Sequence, residues 1–258
     1  MRKFGLIGKD IDYSFSRTYF AKKFDVEKIA ATYENFDCSH IAAVRQVLND
    51  TTITGYNVTI PYKQDVIPFL DYIDPDAQVI GAVNTIKRTS DGKLEGYNTD
   101  FLGFAYALLN ALDINTSSSF KEKKLPLLLE DYKAMVLGTG GASKAVMYAL
   151  KKMGASCISI SRKRKNDTYT YNDLDEDLMR SCNIIINTTP LGTFPTVEAA
   201  PEIPYTYLTT RHILFDLVYN PDKTRFMQYG MTQGAKVSNG LAMLELQAHF
   251  AWDIWNDL

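Results

Sequence analysis

Gly138-Thr139-Gly140-Gly141-Ala142 stands between an apolar run, YKAMVL over 132–137, and a helical pattern over 142–153. That order suits phosphate chemistry. Gly138 lets the chain turn tightly out of a strand, and Gly140 lets the backbone approach a pyrophosphate. The bare N–H groups at the helix start, aided by the helix dipole, then bind the anion. A lone glycine-rich stretch also fits a plain turn; the strand before and the helix after favour a dinucleotide. The stretch is not a P-loop, because Lys144 follows Ala-Ser and no Ser or Thr follows it.

The next apolar run, 156–161, ends Ser161-Arg162-Lys163-Arg164-Lys165 with no acid. NAD sites usually place Asp or Glu about 20 residues beyond the glycines, on the ribose 2′-hydroxyl. A carboxylate there repels a 2′-phosphate, whereas Arg offers it a fork of donors. This points to NADP, with Arg162 near the adenine ribose and Ser161 as a small hydroxyl partner. Which further cation, Lys163 included, reaches the phosphate is left open, and a solvated basic turn is the plainer alternative. Asn187, Thr188 and Pro190 of NTTPLG follow another apolar run and suit a loop on the nicotinamide side of the crevice.

The N-terminal part clusters hydroxyls, amides and one Lys. In an extended segment, Ser14 and Ser16 present two hydroxyls to one side. Asn57 to Lys63 runs from a strand towards a helix over 62–70, with Pro61 at its first position and Lys63 in its first turn, where the helix dipole opposes an ammonium. Asn84-Thr85 ends a further strand, and Asn98-Thr99-Asp100 precedes a helix over 100–112 that Thr99 or Asp100 can cap. Taken singly, these are ordinary caps and turns, and an exposed Lys is ordinarily just solvated.

Positioning these groups requires an α/β protein. Short strand-like runs at 3–7, 30–35, 54–59, 83–87, 132–137, 156–161, 183–187 and 212–217 alternate with helical patterns at 16–24, 39–49, 62–70, 75–80, 100–112, 142–153 and 240–256. This is the signature of parallel sheet. Asp91-Gly92 predicts a hairpin turn, and the polar 113–131 stretch predicts an exposed loop. On the last helix, Leu241, Leu244, Ala248, Ala251, Trp252 and Trp255 share one face, with Gln247 at its edge. Hydrophobic residues at 46% and charged residues at 22% suit a globular enzyme, and a net charge of -2 supplies no field to gather nucleic acid. The start MRKFGLIGKDID has too short an apolar stretch for a signal peptide, and no run approaches the length that spans a bilayer. Cys38, Cys157 and Cys182 are too widely spaced for a zinc site or a disulfide framework, and the latter two read as core thiols. The expected setting is the cytoplasm, without metal, membrane or nucleic-acid partners.

Together the segments SFS, GYNVTIPYK, GAVNTI, GYNTD, GTGGASKA, NTTPLG, DLVYNP and NGLAMLELQA resemble the shikimate dehydrogenase family over nearly the whole chain, in the family's order. The resemblance implies an α/β protein with an N-terminal α/β substrate domain (1–101, with 238–258 returning to it) and a Rossmann-type NADP-binding domain (102–237). It implies reversible NADPH-dependent reduction of 3-dehydroshikimate to shikimate by a monomer or homodimer. Lys63 and Asp100 match the catalytic pair. Ser14 and Ser16 match the hydroxyls that hold the substrate carboxylate, with Tyr219 nearby. Thr59, Asn84 and Gln247 match groups that bond the ring hydroxyls. Gly138, Gly140, Gly141, Ala142, Ser161, Arg162, Lys163, Thr188, Pro190 and Gly240 match the cofactor side. The chain departs from the family pattern at Tyr13, Arg17 and Tyr19-Phe20, where His, Pro and His-Asn are usual, so the wall around the two Ser is altered. The alternatives are a quinate/shikimate dehydrogenase with broader substrate and cofactor use, a catalytically silent dinucleotide sensor, or a different two-domain dehydrogenase. An acid near the ribose would favour the first, and loss of Lys63 or Asp100 the second.

Overall fold

The computed structural model describes residues 1–12, 14–114, 125–164 and 168–258. Tyr13, Lys165 and residues 115–124 of the expected 113–131 loop lie outside the described residues. The chain forms two compact units, Met1–Thr99 with Gln247–Leu258, and Asp100–Leu246.

The first unit holds strands β1 (Arg2–Gly8), β2 (Ala31–Asp37), β3 (Ile53–Val58), β4 (Tyr72–Ile73), β5 (Thr85–Arg88) and β6 (Leu94–Tyr97), with helices α1 (Phe15–Val26), α2 (Ile41–Leu48) and α3 (Pro75–Ile80). Local chemistry sets the helix ends. Ser14 caps α1, His40 caps α2, and Asp74 caps α3 ahead of Pro75, while Gly81 closes α3 at φ 70°. The strand order is β2-β1-β3-β5-β6-β4. β1 pairs in parallel with β2 and β3, but β5 runs antiparallel to both β3 and β6. The sheet is therefore mixed, not parallel throughout. The Asp91-Gly92 turn explains this. Thr89 donates its N–H to the Lys93 carbonyl at 2.9 Å, and such a hairpin requires antiparallel neighbours.

No α-helix spans 62–70. The Ile60–Pro61 peptide is cis, residues 61–66 form successive turns, and only Ile67–Phe69 is regular, as a 3-10 turn. Pro68 lacks the N–H that an α-helix through this stretch would need. Nor is Ser14 to Ser16 extended: Ser14 accepts the Arg17 N–H at 3.4 Å and Ser16 lies inside α1. The two hydroxyls are thus arranged by a helix start and not by strand alternation.

The second unit holds α4 (Asp100–Ala111), β7 (Lys133–Leu137), α5 (Gly141–Lys152), β8 (Ser156–Ser161), β9 (Thr168–Thr170), α6 (Glu176–Ser181), β10 (Ile184–Asn187), β11 (Ile213–Asp216), α7 (Arg225–Thr232) and β12 (Lys236–Ser238). Its sheet is parallel and ordered β12-β11-β10-β7-β8-β9. This is a doubly wound order, whose switch point lies between β7 and β10.

The helix α8 (Leu241–Asn256) starts in the second unit and runs on into the first. There Ala248, Ala251, Trp252 and Trp255 join Phe4, Phe20, Phe24 and Tyr33 in one aromatic core, and the Trp255 indole donates to the Ile86 carbonyl at 3.0 Å. Leu241 is exposed, while Gln247, Phe250 and Ile254 are buried. The buried face is therefore rotated from the expected one, and Gln247 lies inside it. All three cysteines are free; Cys38 and Cys182 are buried and Cys157 is only half-buried.

Candidate functional site

In the first unit a chain of buried polar groups runs through the ends of its strands. The Tyr33 hydroxyl bonds Asn57 Oδ1 at 2.8 Å and shares a hydrogen bond with the Ser16 side chain. Burial pushes the Tyr33 phenol well above its ordinary range, so it remains a neutral donor. Asn57 Nδ2 reaches Thr85 Oγ1 at 3.3 Å, across the register pair that joins β3 to β5. Asn84 is the hub. Its Oδ1 accepts the Thr99 N–H at 2.7 Å and the Thr85 hydroxyl at 3.2 Å. Its Nδ2 donates to Thr99 Oγ1 at 3.0 Å and to Gln247 Oε1 at 3.4 Å. Asn84 thus brackets the turn before α4 and orients Gln247.

Lys63 stands beside this hub. Its carbonyl accepts the Val83 N–H at 2.7 Å, so the backbone before Asn84 and the backbone of Lys63 are tied together. Its side chain is half-buried, as is Thr59, whose N–H is held by the Ile7 carbonyl at 2.9 Å. The dipole argument for Lys63 falls with the missing helix; the turns after β3 and the backbone bond from Val83 position it instead. Ser16, Thr59, Lys63, Asn84 and Gln247 all belong to this unit. Asp100, in the second unit, is buried as the first residue of α4.

In the second unit a cavity of about 820 Å³ opens at the β7–β10 switch point. Gly138, Gly140, Ser161, Arg162, Thr188 and Pro190 line it together. Gly138 has φ 106°, and a Cβ there would lie 2.8 Å from Thr188 Oγ1, so only glycine fits. Around Gly140 and Gly141 the space is open. Gly141 and Ala142 form the first turn of α5 behind the lining, and the Lys163 side chain is not part of the wall. The Ser161 hydroxyl turns back to the Lys163 carbonyl, closing the end of β8. Gly240 lies elsewhere: a Cβ there would collide with the Leu217 carbonyl oxygen, so it serves the close approach of two backbone segments. Tyr219 is 40% exposed beyond β11.

Beneath the cavity Asn187 and Asp216 tie the two loops together. Asn187 Nδ2 donates to Asp216 Oδ1 at 2.9 Å, and Asn187 Oδ1 accepts the Thr189 N–H at 3.0 Å. Asp216 also accepts from the Val218 N–H at 3.0 Å and the Thr224 hydroxyl at 2.5 Å. Burial pushes the Asp216 carboxyl up to about 6 despite these donors.

The model of the shikimate dehydrogenase substrate binding domain matches residues 6–86. The NADP(+)-dependent shikimate dehydrogenase of Clostridium beijerinckii is 37% identical, over all of this chain and 93% of its own length. That of Caldicellulosiruptor bescii is 34% identical, over all of this chain and 90% of its own. The crystal structure of shikimate 5-dehydrogenase from Thermus thermophilus, in complex with NADP(H) and shikimate, aligns with a TM-score of 0.82 at 29% identity. That alignment covers all of this chain and 94% of the other. This chain belongs to the shikimate dehydrogenase family.

Against the usual pattern of shikimate dehydrogenases, the structure explains one departure. Phe20 is fully buried and stacks on Tyr33 at 4.6 Å, next to Trp255 at 5.3 Å, so the altered pair feeds the aromatic core. Arg17 donates to the Asp12 carbonyl at 3.2 Å and so fastens the loop ahead of α1. The residues of the cavity fit a phosphorylated dinucleotide: an open glycine turn before a helix start, and Arg162 in the wall with no acid at the end of β8. Sequence reasoning missed Tyr33 in the polar chain, and Tyr171, Ala199, Ala200 and Glu202 in the cavity wall. The Asn57–Thr85 link was readable from strand pairing; the wall residues carry no motif.

Proposed function

We propose that this chain reduces 3-dehydroshikimate reversibly to shikimate with NADPH, as an oxidoreductase of the shikimate pathway. The observation that carries the reading is that the whole chain, not the dinucleotide unit alone, matches NADP-dependent shikimate dehydrogenases. The polar chain around Asn84 and the cavity around Arg162 supply chemistry suited to the two reactants.

NADPH bound at the glycine turn supplies the hydride for the ring carbonyl carbon. Lys63 holds the proton exchanged at the substrate oxygen, and Asp100 orients that oxygen and its hydrogen bond. Ser14 and Ser16, at the start of α1, hold the substrate carboxylate, where the helix N-terminus favours an anion. Tyr219 adds a hydroxyl near that carboxylate. Thr59, Asn84 and Gln247 bond the ring hydroxyls, with Asn84 also holding Gln247 in place. The buried amides reject a ring that lacks matching hydroxyls, because they would lose their partners. On the cofactor side, Gly140, Gly141 and Ala142 receive the pyrophosphate, Arg162 the 2′-phosphate and ribose, Ser161 and Lys163 shape that turn, and Thr188 and Pro190 shape the nicotinamide end. We place the enzyme in the cytoplasm, as a monomer or homodimer. No helix among the described residues is long and apolar enough to cross a membrane.

The test is reduced-nicotinamide absorbance with purified protein, offering shikimate or quinate with NADP or NAD. A rise with shikimate and NADP alone is expected. An equal rise with quinate or NAD would support the broader relative, and silence throughout would sink the reading.

A further inference from the structure

Two residues of the second unit's cavity have no part in the reading above. Tyr171 opens a 3-10 turn, Tyr171–Asp173, directly after β9. A capping box locks that turn: the Thr170 N–H and hydroxyl both donate to Asp173 Oδ2, at 2.6 and 2.8 Å. Tyr171 packs against the core of the second unit and forms part of the cavity wall. Glu202 is held just as firmly. Its neighbours Pro201 and Ile203 are buried and Glu202 between them is turned outward, while the Tyr205 hydroxyl pins the Pro201 carbonyl at 2.8 Å.

The charges sharpen the picture. Asp173 also takes Arg164, at 2.5 Å, which draws that cation aside. Arg162 is left as the only cation among the described residues that line the cavity. Neither Arg162 nor Glu202 makes a hydrogen bond or ion pair with another described residue. Arg162, Tyr171 and Glu202 line the same cavity, and both charges act on the Tyr171 hydroxyl, whose pKa burial raises, Arg162 lowers and Glu202 raises. A site for phosphates alone gains nothing from a carboxylate there, since like charges repel. A donor on the ligand would give Glu202 a purpose. The adenine of a dinucleotide offers a flat ring for a guanidinium and a phenol, and one exocyclic amine for a carboxylate.

We propose that Tyr171 and Glu202 form an adenine-recognition subsite, with the base held between the Arg162 guanidinium and the Tyr171 ring and its 6-amino group donating to the Glu202 carboxylate. The subsite rests on the cofactor reading given above. It makes the enzyme selective for the base as well as for the 2′-phosphate.

The test compares NADPH with its hypoxanthine analogue, in which a 6-oxo acceptor replaces the 6-amino donor. Affinity is read directly, by isothermal titration calorimetry, without turnover. The unaltered protein should bind the analogue about tenfold more weakly, as expected for a lost charge-assisted hydrogen bond facing an acceptor. Glu202→Gln offers the 6-oxo group an amide donor and should bring the two affinities together or reverse their order. Removal of the negative charge by itself shifts both nucleotides alike, so the ratio is the readout. Tyr171→Leu, which removes the ring, should weaken both about equally, and affinities untouched by it would overturn the place of Tyr171 in the subsite. Tight and equal binding of the two nucleotides by the unaltered protein, or a ratio untouched by Glu202→Gln, overturns the subsite alone. Binding of neither overturns the cofactor reading with it.

Discussion

In the proposed reaction Lys63 acts from a backbone that its own carbonyl fastens to Val83, so truncating the side chain should leave the fold in place. Lys63→Ala is expected to lower kcat by about 10²–10⁴-fold, the usual worth of a positioned acid–base group. NADP binding, followed by calorimetry, should stay near normal, and a weakened NADP affinity would contradict the role given to Lys63. Arg162→Ala should lower kcat/KM with NADPH by roughly 10–100-fold, the value of a charge-assisted contact, and lower any activity with NADH clearly less, since there only the packing on the base is lost. An equal loss with both would sink the 2′-phosphate assignment. At this scale the sequence is readable where a motif fixes position: Gly138, Gly140, Ser161, Arg162, Thr188 and Pro190 line one cavity. It is unreadable where a partner decides. Asn84 looks like an ordinary turn residue until Thr99, Thr85 and Gln247 are seen around it. Nothing in the triplet Ser14-Phe15-Ser16 distinguishes a strand edge from the start of a helix, and the capping bond to Arg17 decides it.

The strand–turn–helix of β7 and α5 separates two uses of glycine. Gly138→Ala forces a side chain into a left-handed backbone against Thr188 and should cost about 1–3 kcal/mol, a fall of several degrees in Tm. Gly140→Ala has open space and an extended backbone, φ -80°, so Tm should hold while affinity for NADP falls. Thermal melts beside NADP titrations check both, and a Gly140→Ala protein that binds NADP normally would remove the pyrophosphate from that turn. Elements were most legible where pattern and punctuation agree. The strand over 156–161 and the helix over 75–80, with its Asp74 cap and Gly81 stop, stand where their residues put them. The helix over 62–70 does not form, because Pro61 suits a helix start but Pro68 withholds the N–H that the helix would need. The face of α8 was misjudged because a helix buried on more than one side has no single apolar stripe.

Across the molecule, Asp216 makes stability depend on pH. Its folded carboxyl is pushed up to about 6, so the folded chain binds its proton more tightly than the unfolded chain does. Stability from this group therefore falls as pH rises from about 4 to about 6 and is level above that, a change of roughly 3 kcal/mol. Asp216→Asn lacks this dependence. Urea unfolding from pH 4 to 8 should show the variant gaining on the unaltered protein over that window, and parallel curves would refute it. Such long-range ties, with Asn187 and Asp216 far apart in sequence, are what a linear reading cannot supply; the alternation of strands and helices supplied the α/β plan but not the mixed first sheet. The first unit's aromatic core has a further consequence. Phe4, Phe20 and Tyr33 pack on Trp252 and Trp255, while the second unit is one continuous stretch, Asp100–Leu246. A ribosome makes the chain in the N-to-C direction, so the second unit has all its residues before the first does. The first is expected to wait through most of synthesis with its rings exposed, which makes the leading segment, not the trailing one, the natural client of a chaperone.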